Sequence, residues 1–99
     1  MGEVLAAIQR AYREIGRPTA FEEHHQGGLA GYRPREVVAT PGNSTRIRAG
    51  MAVAWNPSLP GAKVEDTFLV AEAGLENLTV DPDWPTVEVA GRLRPAILE

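Results

Sequence analysis

The chain of 99 residues contains no cysteine. That excludes a disulfide scaffold, a thiolate metal site and a thiol nucleophile. Lysine is nearly missing as well: Lys63 is the single lysine among ten basic residues, and the formal net charge is −3. A domain that neutralises several phosphates needs a basic face, so nucleic acid is not an expected partner. No apolar run approaches the roughly 20 residues of a membrane span. The opening Met-Gly-Glu-Val-Leu carries no basic stretch leading into an apolar one, which argues against a secretory signal. Missing thiols and a missing signal together point to a reducing, cytoplasmic setting. The chain also has no Gly-Lys-Ser phosphate loop, no Gly-x-Ser-x-Gly elbow and no His-Glu-x-x-His helix. Internal repeats and low-complexity segments are absent too.

What is present describes one globular domain. The hydrophobic fraction is 43% and the charged fraction 23%, and a chain of this length buries roughly 65% of the surface its unfolded form exposes. Residues 3–15 hold the strongest helical pattern. Val4, Leu5, Ile8, Tyr12 and Ile15 recur at spacings of three and four and make one apolar stripe. Glu3 and Arg13 suit the helix dipole, and Gly16 with Pro18 stops the helix. From Phe21 to Gly31 the density of glycine argues against a regular element but permits close backbone approach. Val37 and Val38 read as extended, and Pro41-Gly42-Asn43-Ser44 as a turn.

Residues 51–56 alternate with period two: Met51, Val53 and Trp55 on a large apolar face, Ala52, Ala54 and Asn56 on a small one. Residues 62–71 read as a second strand, forming a hairpin with 75–79 through Ala73-Gly74. In that strand Val64, Asp66, Phe68 and Val70 share one face, and Lys63, Glu65, Thr67 and Leu69 the other. Trp84–Val89 suggests a last short strand, and 91–99 a tail that needs a partner surface to be ordered. A helix followed by antiparallel strands gives an α+β domain, an amphipathic helix packed on an antiparallel sheet.

Four features can carry chemistry. His24-His25-Gln26-Gly27-Gly28 places two imidazoles beside a close-approach loop, but adjacent residues in extended chain point opposite ways and do not chelate one metal simply. Either the pair is solvated or capping, or one His reaches a ligand. Arg33-Pro34-Arg35-Glu36 is a charged surface turn or an anion site in which Glu36 holds the arginine. Asn56 ends the small face of its strand. Glu65-Asp66-Thr67 puts two acids where the pattern calls for β-branched residues, and a buried carboxylate must be paired, protonated or metal-bound.

These features occur in the order of the pita-bread metallopeptidases, the Xaa-Pro aminopeptidases, prolidases and methionine aminopeptidases, with the metal-free creatinases as relatives. Residues 4–80 resemble the C-terminal half of that catalytic domain. His24-His25-Gln26-Gly27-Gly28-Leu29-Ala30-Gly31, followed by Arg35-Glu36, occupies the place of the family's His-Gly-Thr-Gly-His-Gly-Ile-Gly and later His-Glu. Gly50-Met51-Ala52-Val53-Ala54-Trp55-Asn56-Pro57-Ser58 is similar to Gly-Met-Val-x-x-x-Glu-Pro-Gly. Glu65-Asp66-Thr67-Phe68-Leu69-Val70, Gly74 and Leu78-Thr79 match the family's Glu-Asp-Thr-x-Leu-Val strand, its later Gly and its Leu-Thr.

The resemblance implies half of a pita-bread fold over 1–99, a partial peptidase-like domain. It also implies self-association, as in a dimer, or a missing N-terminal half as partner, because a lone half exposes a sheet edge and apolar surface. The family's two metal ions are held by two Asp, one His and two Glu. Both Asp come from the half this chain lacks, Gly28 stands at the ligand His, Asn56 at the first ligand Glu, and only Glu65 survives. Arg35 replaces the second His of the motif. One carboxylate does not hold two divalent cations, so no metal and no other cofactor is expected. The implied outcome is a hydrolase-like pseudoenzyme without the dinuclear site. Two alternatives stay open. One is a metal-free amidohydrolase of creatinase type acting on a small amidine or amide, with His24 as general acid–base and Glu65 orienting it or the substrate. The other is a noncatalytic peptide-binding module. His25, Arg35 and Asn56 are the expected substrate contacts.

Overall fold

The computed structural model describes residues 1–33 and 35–97. Helix α1 runs Gly2–Glu14 and buries Leu5 and Tyr12, with Ile8 half-buried against the same core. The stripe ends one turn early: Ile15 is exposed, and Gly16 at φ 75° turns the chain away. A 3₁₀ turn over Pro18–Glu22 comes next, not foreseen in the sequence, and it buries Ala20 and Phe21. The Phe21 ring meets Tyr12 edge-on at 6.0 Å.

The described residues then form nine strands: β1 Gly27–Ala30, β2 Val37–Val38, β3 Ala52–Trp55, β4 Ser58–Leu59, β5 Ala62–Lys63, β6 Asp66–Ala71, β7 Gly74–Asn77, β8 Thr86–Val89 and β9 Arg92–Pro95. The main sheet has the order β2-β1-β3-β6-β7, antiparallel throughout. β4 with β5, and β8 with β9, form two separate hairpins. The architecture is thus α+β, a helix on an antiparallel sheet. No helix among the described residues is long and apolar enough to cross a membrane.

Three elements differ from the sequence reading. The glycine-rich stretch is not irregular: Gly27–Ala30 is an interior strand between β2 and β3. Gly27 and Gly28 adopt φ 133° and 152°, and a Cβ at either position would overlap a neighbouring strand's carbonyl oxygen, that of Ala54 or Val37. Glycine is what lets these strands approach. The single strand expected over 62–71 is two, because Val64 N–H turns to the Pro57 carbonyl at 3.1 Å between β5 and β6. The tail expected over 91–99 is partly a strand, since β9 pairs with β8 from Thr86↔Pro95 to Val89↔Arg92; Leu98 and Glu99 lie outside the described residues.

The hairpin β8–β9 is tied to the sheet by charge. Arg94 Nη1 meets Asp66 Oδ2 at 2.5 Å, and the Arg92 guanidinium lies 5.7 Å from the centre of the Phe68 ring. Asp66 is almost fully buried, and its other oxygen accepts from Thr79 Oγ1 at 3.0 Å and Asn77 Nδ2 at 3.3 Å. The acid that interrupts the apolar pattern is therefore a paired structural group.

Candidate functional site

On one face of the sheet a cleft of about 340 Å³ opens over Gly27 and Gly28. Both glycines lie in its lining. Leu29, Val37, Val38 and Ala54 give it apolar walls. The period-two alternation of β3 carries Asn56 to the same side as Ala54. His25 enters from the residue before Gln26, Arg35 from the loop ahead of β2, and Lys63 with Glu65 from β5 and its exit.

Four of the five residues singled out in the sequence, His25, Arg35, Asn56 and Glu65, therefore share one cavity. The fifth, His24, does not line it. Its ring stands nearly perpendicular to that of His25, with centroids 6.4 Å apart. His24 Nδ1 lies 2.5 Å from the His25 carbonyl oxygen, and Nε2 meets Ser58 Oγ. Nor does Glu36 hold Arg35: its carboxylate accepts from the Arg33 N–H at 2.9 Å. Lys63, which the sequence offered no reason to choose, pairs with Glu65 at 3.0 Å. Both side chains are about half exposed, 55% and 52%, so the pair contributes little to stability.

Two polar atoms of the cleft residues, His25 Nδ1 and Asn56 Oδ1, are shut off from solvent without a hydrogen-bond partner. His25 is held below its ordinary pKa of 6.5, first by loss of hydration and then by electrostatic repulsion, chiefly from Arg35 and also from its neighbours His24 and Lys63, with Glu65 opposing. Its imidazole is neutral near pH 7. Because the folded state binds this proton less readily than the unfolded chain, stability falls as the pH drops below about 6.5. Urea titrations at pH 7.0 and 5.5 are expected to show that loss, and His25→Gln to reduce it; an unchanged difference in the variant refutes the assignment.

A polar hub that no spacing in the sequence announced joins the helix, β4 and the segment before β1. Gln26 is the most deeply buried large side chain. Its Nε2 donates to the carbonyls of Phe21, at 2.9 Å, and His24, at 3.1 Å. The Tyr12 hydroxyl lies 2.9 Å from both Gln26 Oε1 and the Ser58 carbonyl, and accepts from the Ser58 N–H at 2.7 Å. Tyr12 was legible as a core residue; its hydroxyl's role was not.

Among the described residues no three His, Cys, Asp or Glu side chains are close enough to hold a metal ion. Alternation turns Glu65 toward the cleft, while Asp66 is buried against Arg94. Comparison with protein-family models, curated proteins and solved structures finds no match for the chain.

Proposed function

We propose that this chain is a pita-bread-like half-domain that binds short peptides without metal and does not cleave them. The observation that carries this reading is the cleft itself, which gathers Arg35 and Lys63 beside Asn56 and a neutral His25 over a glycine floor. A guanidinium fork suits a peptide's terminal carboxylate. The Asn56 amide in the cleft lining carries both donor and acceptor groups of the kind a peptide bond pairs with. At about 340 Å³ the cavity is at the small end of ligand sites, which favours di- and tripeptides. The side chain missing at Gly28 and the neutral Asn56 account for the lack of hydrolysis under the family resemblance.

Calorimetric titration with tripeptides in EDTA tests this. The expected dissociation constant is the same with and without EDTA, rises about 10-fold or more in Arg35→Ala, and rises similarly when the peptide's C-terminus is amidated. Absence of binding overturns the proposal, as does peptide cleavage that depends on manganese or cobalt.

A further inference from the structure

The geometry points to a second, separate site: Ser58 as a nucleophile and His24 as its general base, hydrolysing small esters. The inference does not depend on the peptide-binding reading. His24 Nδ1 faces a carbonyl oxygen, that of His25. A carbonyl only accepts, so Nδ1 carries the hydrogen and donates. In the neutral ring Nε2 is then a lone pair, and that lone pair meets Ser58 Oγ. Hydroxyl, imidazole and a backbone acceptor that fixes the tautomer form the arrangement by which a serine is activated.

The dyad is also held in place. Tyr12 brackets the Ser58 backbone through both its N–H and its carbonyl. Gln26, bonded to the same Tyr12 hydroxyl, anchors the His24 carbonyl. Tyr12 and Gln26 are both buried, so the two halves of the dyad hang from one rigid polar unit. Ser58 further forms part of the wall of an apolar groove of about 280 Å³, with Ile8, Tyr12, Ile15, Leu59 and Val64. Such walls suit the acyl chain of an ester.

In the reaction the Ser58 Oγ–carbonyl carbon bond forms as His24 Nε2 takes the hydroxyl proton. The ester C–O bond then breaks, and that proton passes to the leaving alkoxide. Water adds to the acyl-serine, giving one proton to Nε2. Collapse releases the carboxylic acid and returns the proton to Oγ.

The probes are p-nitrophenyl butyrate for turnover and a fluorophosphonate for covalent trapping. Trypsin releases residues 49–63 as one peptide in which Ser58 is the only hydroxyl-bearing residue, so mass spectrometry reads the labelled site on the unaltered protein. The expected result is label on that peptide, together with a fall in turnover of about 100-fold or more in both Ser58→Ala and His24→Gln. No label, label on another peptide, or wild-type turnover in Ser58→Ala overturns the inference. Acyl transfer to a free imidazole would leave that variant active.

Discussion

Gly28→Ala is expected to cost about 4 kcal/mol or more, enough to unfold most of a domain this small. Gly28 pairs on both sides, with Val38 in β2 and Ala54 in β3. A Cβ added there would overlap the Val37 carbonyl oxygen and press on the Ala39 nitrogen, and backbone in a sheet interior cannot swing aside as a side-chain tip can. Gly42→Ala is the matched control. Its φ is 79° and nothing lies within 4 Å of its Cβ position, so it bears only the strain of left-handed backbone, about 1–2 kcal/mol. Urea denaturation followed by circular dichroism compares the two. Equal midpoints would mean that the β1–β2 spacing is not what glycine protects. Gly28→His meets the same obstacle, so a single substitution cannot supply an imidazole at this position.

The second large effect is expected at the buried ion pair. Removing Arg94 leaves the Asp66 carboxylate, 4% exposed, without its counter-ion. Removing Asp66 leaves Arg94, 26% exposed, able to turn toward water. The predicted order is therefore asymmetric. Arg94→Ala costs about 3 kcal/mol. Asp66→Ala costs roughly 2 kcal/mol, chiefly its bonds to Thr79 and Asn77. A double-mutant cycle in urea measures both, and the reverse order would show that the hairpin β8–β9 does not confine the acid.

Periodicity made part of this legible. The spacing of Leu5, Ile8 and Tyr12 located α1, and the alternation from Ala52 to Asn56 located both faces of β3, because each pattern reports which side is dry. The same alternation separated Glu65 from Asp66. What stayed hidden depends on contacts between distant residues. Glycine density at 27–31 reads locally as the absence of a regular element; the close backbone approach it permits is there, but between interior strands of a sheet. Proximity in sequence also let His24 and His25 be assigned to one site, His24 as acid–base and His25 as substrate contact. Only the placement of β4 shows that one faces Ser58 and the other the cleft. The strand β9 escaped notice because 91–99 read as a tail in need of a partner surface, and that surface, β8 with Asp66 and Phe68 beside Arg94 and Arg92, is assembled only by the fold.

The Tyr12 hydroxyl has a single hydrogen and two acceptors at equal distance, one on Gln26 and one on Ser58. Helix, histidine loop and β4 therefore share one atom as their common fastener. Loosening any of the three removes a hydrogen-bond partner from the other two. The three segments are therefore expected to open together, with the histidine loop anchored through a residue of the helix.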